Sequence, residues 1–98
     1  MKGRRLPDSL DGTIPALEHG DYVQIVGGTW YDERRRQFPD KPIWICCAPN
    51  GHMCSLNALH GFTEHEDGTL TVTPSILISD HTGPVWHGYL RNGEWSTA

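Results

Sequence analysis

The stretch His65–Trp95, HEDGTLTVTPSILISDHTGPVWHGYLRNGEW, decides the fold. Asp67-Gly68 is a hairpin-type turn signal, and Leu70-Thr71-Val72-Thr73 then alternates apolar with polar residues. Pro74 cannot donate to a ladder, so it marks a sheet edge or a bulge ahead of Ile76-Leu77-Ile78. Asp80 to Pro84 reads as a loop, Val85 to Leu90 as a strand, Asn92-Gly93 as a tight turn and Glu94-Trp95 as a short return. In a strand, successive side chains point to opposite faces. Trp86 and Leu90 therefore form a core pair, while Val85, His87 and Tyr89 share the other face. Gly88 leaves a gap that another backbone or a ligand could approach.

The same signals run upstream. Tyr22-Val23-Gln24-Ile25-Val26 is β-branched and alternating, and Gly27-Gly28 ends or bulges it, with Trp30 and Tyr31 as its continuation. Asp32 to Pro42 reads as a charged loop. Ile43-Trp44-Ile45-Cys46-Cys47 is a second strand, Ala48-Pro49-Asn50-Gly51 a turn, and His52 to Leu56 the returning third strand. Asn57 to Phe62 fits either one helical turn or an irregular crossing. Residues 1–19, punctuated by Pro7, Gly12 and Pro15, read as an extended N-terminal arm, partly mobile. Residues 20–98 form the domain proper. The expected fold is all-β: one small antiparallel sandwich or half-open barrel of about six short strands with at most one short helical turn.

Composition bounds the function. Ninety-eight residues make one domain, and 37% hydrophobic residues with eleven glycines and seven prolines favour short elements and many turns. A net charge of -4, with Lys2 and Lys41 the only lysines, argues against a phosphate-contacting nucleic-acid binder. No apolar run reaches the roughly 18 residues of a membrane span. The opening MKGRRLPDSLDG lacks the apolar core of a secretory signal, so a cytoplasmic protein is expected. In that reducing setting Cys46, Cys47 and Cys54 are thiols or metal ligands. Cys46 and Cys47 point to opposite faces of their strand.

Pro74-Ser75-Ile76 and His87-Gly88-Tyr89-Leu90-Arg91-Asn92-Gly93 together resemble a family of small bacterial and phage proteins of unknown function. Its members pair a Pro-Ser-Ile segment with a His-x-aromatic-aliphatic-Arg-x-Gly segment, and the likeness covers residues 43–95. Many members carry an upstream Cys-Pro-x-Cys-type knuckle, sometimes followed by Gly-His, that reads as zinc-binding. Gly51-His52 and His87 match that arrangement; Cys46-Cys47-Ala48-Pro49 does not reproduce the paired-cysteine knuckle. A shorter likeness, from Gly20-Asp21-Tyr22 through Pro49-Asn50-Gly51, points to a tailed-phage branch. The resemblance implies a phage accessory protein in the host cytoplasm, of the kind that blocks a host enzyme or defence complex.

Three sets of residues could carry chemistry. Zinc takes four nitrogen or sulfur ligands, and Cys46 or Cys47, with Cys47 preferred beside the turn, supplies the types together with His52, Cys54, His81 and His87 around two turns. Their spacing is not a recognised zinc pattern, and buried cysteines with surface histidines explain them equally. His52 or His87 beside Cys54 or Cys47 would make a nucleophile–base pair, but no local signature of a cysteine hydrolase is present. Trp30, Tyr31, Arg34, Arg35 and Arg36, with His81 and His87, form an interface-type set, since Trp, Tyr and Arg dominate binding hot spots. Trp30, Tyr31 and Trp95 sit near turns or ends and need not be buried.

The expected function is binding of a macromolecular partner, a host protein, through the Trp30–Arg36 loop and the His81–His87 region, without catalysis. An edge strand near Pro74 would also support a homodimer. The alternative is a zinc-stabilised structural or adaptor module; a small Cys/His-dependent enzyme is the third reading. Neither a nucleic acid nor a membrane is an expected partner, and zinc is the one cofactor candidate.

Overall fold

Ile43–Cys47 (IWICC) has no polar residue to turn toward water, and all five of its residues are buried. A continuous apolar run of this length needs cover on both faces. The computed structural model, which describes residues 1–56 and 60–98, supplies it. The strand, β3, is the interior of a four-stranded sheet ordered β1-β2-β3-β4, with β1 at Arg4–Arg5, β2 at Asp21–Ile25 and β4 at Met53–Leu56. β1 runs parallel to β2; the other pairs are antiparallel.

The second sheet is an antiparallel meander: β5 (Gly61–Glu64), β6 (Leu70–Asp80), β7 (Gly83–Arg91) and β8 (Glu94–Thr97). The all-β expectation therefore holds, as a sandwich of two sheets. The described residues form eight strands where about six were expected, because the short β1 and β5 carry little pattern of their own.

Between the sheets lies the main core. Tyr22, Trp44, Cys46 and Leu56 from the first sheet meet Leu70, Val72, Ile76, Ile78, Trp86, Leu90 and Trp95 from the second. The expected Trp86–Leu90 pair is there. Trp86 and Trp95 meet edge-to-face, with ring centroids 5.5 Å apart. A second core, on the far side of the first sheet, joins Val23, Ile25, Ile43 and Ile45 to Leu6, Leu17, Trp30 and Tyr31.

That outer cover corrects the expected charged loop and the expected strand at Trp30-Tyr31. Thr29–Gln37 is a nine-residue helix, α1. None of its residues is fully buried, so it carries no apolar stripe that a search for a helical period could find. Its ends are charged as the helix dipole favours, with Asp32 in the first turn and Arg34, Arg35 and Arg36 in the last.

Nor is the N-terminal arm a loose appendage. Its backbone follows β2, with Leu6 N donating to Tyr22 O at 2.9 Å, Ser9 N to Gln24 O at 2.9 Å and Val26 N to Ser9 O at 2.8 Å. Its first residues reach the other sheet, where Trp95 N donates to Met1 O at 2.8 Å and Gly3 N to Gly93 O at 2.7 Å. The arm thus buries Trp95, whose Nε1 donates to Gly20 O at 2.9 Å. Arg5 closes the same side. It lies 5.0 Å from the centroid of the Trp44 ring, donates to Gly68 O at 3.0 Å and pairs with Glu64 at 3.2 Å.

Turn chemistry follows expectation at Asn92 and Gly93, whose φ angles of 51° and 74° suit a two-residue hairpin. The loop expected from Asp80 to Pro84 is shorter, since β6 runs to Asp80 and β7 begins at Gly83. Asp80 Oδ1 accepts from Thr82 N at 2.7 Å and holds the tip. Pro74 takes the bulge alternative. β6 is an interior strand, and its register with β7 shifts between Val72 and Ile76. The reading of residues 57–62 falls partly outside the described residues; Gly61 and Phe62 begin β5.

Candidate functional site

The two halves of the interface-type set lie on opposite sides of the molecule. Trp30 and Tyr31 pack onto the outer face of the first sheet. His87 is exposed on β7, on the face opposite Trp86 and Leu90 and so away from the first sheet. Two sheet layers, packed about 10 Å apart, separate them. His81 is exposed at the β6–β7 tip, about 15 Å from His87 at roughly 3.3 Å per strand residue.

On α1 the aromatic and arginine residues do form one surface. The Arg34 guanidinium lies 5.8 Å from the Trp30 ring centroid and 5.9 Å from that of Phe38. Arg35 lies 5.8 Å from the Tyr31 ring and donates to Lys41 O at 3.3 Å. Arg36 is exposed beside them, as is Phe38. Rings that are half-buried against the sheet hold the arginine stems in place, which lowers the entropy lost when a partner docks.

The zinc set does not converge. Cys46 and Cys54 are direct cross-strand partners on the inter-sheet face, and Cys47 lies on the other face, paired with Met53. Cys47 Sγ is 3.8 Å from Ala48 O. Burial, then the charge of Asp21, pushes the Cys47 thiol up. Sulfurs on opposite faces of a sheet cannot share one tetrahedral ion. His52 is exposed at the β3–β4 turn, and His87 belongs to the outer face of the second sheet. Among the described residues, no group of three or more His, Cys, Asp or Glu side chains is arranged to hold a metal ion.

Part of that expectation has a structural basis. The β3–β4 turn and the β6–β7 tip do occupy one end of the sandwich. Asn50 Nδ2 donates to Val85 O at 3.1 Å. The Asp80 carboxyl is lowered by the Thr82 hydroxyl and backbone N–H, and further by the nearby His52. The His19 ring, absent from the sequence-based set, faces Gly51 at the same end.

Ser75 is the residue that sequence reasoning passed over. It follows the Thr73–Pro74 cis peptide, within the bulge, and its Oγ lies 3.0 Å from His87 Nε2. Its carbonyl accepts from His60 Nε2 at 3.0 Å. The Pro74-Ser75-Ile76 and His87–Gly93 segments thus meet at the Ser75–His87 bond. A hydroxyl–imidazole pair is one component of a nucleophilic site; an orienting group and oxyanion donors are the others. His87 instead neighbours Tyr89, ring centroids 6.3 Å apart, on an exposed sheet face, and the Arg91 guanidinium lies 4.2 Å from the centroid of the Tyr89 ring. A cleft of about 800 Å³ lies between the arm and the β5–β6 turn, lined by Arg4, Arg5, Tyr22, Asp67 and Asn92 among others. None of the sequence candidates lines it.

The Gly88 gap is filled from within. A side chain there would run into the Trp86 ring and Ser96 O, so the glycine admits the indole and β8, not a ligand. Comparison with family models, curated proteins and solved structures finds no match to this chain.

Proposed function

We propose that this protein works by binding a macromolecule, an acidic surface on another protein, through α1. The observation that carries the reading is the ordered arginine–aromatic surface of Trp30, Tyr31, Arg34, Arg35, Arg36 and Phe38. Arg, Trp and Tyr are the residue types that dominate binding energy at protein interfaces. The chain as a whole carries a charge of -4, so a local arginine run is a distinct electrostatic feature. With the resemblance to phage proteins, the reading extends to a phage accessory protein that occludes a host enzyme or defence complex. His87 does not belong to that surface, because it lies on the outer face of the second sheet, and His81 sits at the β6–β7 tip rather than on α1. A zinc-stabilised module would need three or more ligand side chains together, and among the described residues no such group is present.

The test is retention of a discrete partner from bacterial extract on the immobilised protein, compared with Arg36→Glu. Arg36 is exposed, so the variant keeps the fold, which circular dichroism verifies. The reading expects retention by the native chain and its loss in Arg36→Glu, with weakening at high salt. Equal retention by both proteins assigns the binding to another face and overturns it.

A further inference from the structure

The three cysteines are not equivalent. In the β3–β4 ladder Cys46 stands directly opposite Cys54. Ala48 N donates to His52 O at 2.9 Å, and hydrogen-bonded pairs recur every second residue, so Cys46 and Cys54 form such a pair. That register places their Cα atoms about 5.5 Å apart, inside the span of about 4.4–6.8 Å that a disulfide bridges. Both side chains point into the inter-sheet core, where Cys46 is fully buried and Cys54 packs half-buried against it. Cys54 Sγ lies 3.5 Å from Ser55 O. β4 is an edge strand, so an oxidant reaches Cys54 without the sandwich opening. Cys47, one residue from Cys46, lies on the opposite face and is excluded from the pair.

The pair is also asymmetric. Interaction with the neighbouring Cys46 thiol lowers the Cys54 thiol to about 7, against the effect of burial. The same interaction, together with burial, holds the Cys46 thiol well above its ordinary value. A nucleophilic thiolate beside a protonated partner is the arrangement of a redox-reactive dithiol.

We propose that Cys54 and Cys46 are a reversible oxidation site for hydroperoxides, with Cys54 attacking and Cys46 resolving. The Cys54 thiolate attacks the terminal oxygen of ROOH, and the O–O bond breaks. ROH leaves with a proton from solvent, and Cys54 becomes a sulfenic acid, oxidised by two electrons as the hydroperoxide is reduced. The Cys46 sulfur then attacks the Cys54 sulfur. The S–O bond breaks, and water leaves with the Cys46 proton. An external dithiol reverses the change by two exchange steps and is itself oxidised. In a hydrogen-bonded pair the Cβ atoms stand further apart than the mean of about 3.8 Å in disulfides. β4 must draw toward β3 to close the bond, and such a bond is readily reduced again.

The experiment treats the full chain with one equivalent of hydrogen peroxide, then alkylates it under denaturing conditions and weighs it. The proposal expects one of the three thiols to remain, the mass of two hydrogens to be lost, and dithiothreitol to restore all three thiols. Cys47→Ser should oxidise like the native chain and retain no thiol. Cys46→Ser should stop at a sulfenic acid that dimedone traps on Cys54. Three thiols surviving peroxide, or a bond that uses Cys47, overturns it. Since Cys46 is buried and its variant could fail to fold, a second measurement uses the folded native chain. Its iodoacetamide labelling at pH 7 should fall more than about tenfold in Cys54→Ser. An unchanged rate places the reactive thiol elsewhere and equally overturns the proposal.

Discussion

The outer faces of the two sheets have opposite fates. On the first sheet the outer face is a core of its own, with Val23, Ile25, Ile43 and Ile45 covered by the arm and by Trp30 and Tyr31 of α1. On the second sheet it is open. β6 and β7 alternate between buried and exposed residues, and Leu77 stands 55% exposed. The difference separates two kinds of strand. β2 and β3 are buried on both faces at all but Gln24, whereas on the outer face of β7 His87 and Arg91 are exposed and Tyr89 is half-buried. Of the four tryptophans, Trp44, Trp86 and Trp95 are buried, and Trp30, on the helical cover, is half-exposed beside Arg34.

The sharpest test of this contrast truncates one aliphatic side chain on each outer face. Ile45, 4% exposed, should cost about 2–5 kcal/mol when changed to Ala. Leu77→Ala should stay within about 0.5 kcal/mol. Urea unfolding of both variants measures the difference, and similar losses would mean that α1 and the arm do not cover the first sheet. Next in size is Gly88→Ala, on the inner face of the open sheet. The added methyl meets the Trp86 ring and Ser96 O, which should cost about 1–3 kcal/mol. A change of the exposed His87 to Ala should leave the unfolding midpoint nearly unmoved.

The smallest effect is pH-dependent and belongs to the arm. Arg4 Nε and Nη2 donate to Asp21 Oδ1 and Oδ2 at 3.0 and 2.8 Å, and Glu18 N donates to Oδ2 at 2.9 Å. The bond from Arg4 holds the Asp21 carboxyl below its ordinary range, against burial and with help from the Glu18 N–H and the Arg4 charge. A lowered folded pKa stabilises the native state above the unfolded value of about 3.9, and that stability is lost as the pH falls through the folded value. Native and Asp21→Asn proteins should therefore differ in thermal midpoint at pH 7 and converge in acid. A constant difference down to pH 2 would remove this role from Asp21. Arg4 is largely exposed, so salt should shrink the effect.

Strand positions were legible because alternation and turn residues are local properties. Tyr22–Val26, Ile43–Cys47 and Val85–Leu90 each read as strands and lie in β2, β3 and β7. α1 was not legible, since a nine-residue helix that buries nothing completely has no periodic apolar face. Its signal was the charge order, Asp32 early and three arginines late, with Pro39 just beyond. The candidate site was half legible. Trp30, Tyr31 and the arginines belong together because they share one helix. Ser75 was invisible, since its bond to His87 depends on the β6–β7 register, which shifts at the bulge.

By itself, then, the sequence determined an all-β domain, the strands β2, β3, β4, β6, β7 and β8, the hairpin turns and the opposite facing of Cys46 and Cys47. Each depends on dihedral preference and on a side-chain period of two, which neighbouring residues settle. Only the tertiary structure decided which faces are covered, that the arm buries Trp95, and that Cys54 meets Cys46. Those facts depend on which strand lies beside which and at what register, and long-range packing fixes that.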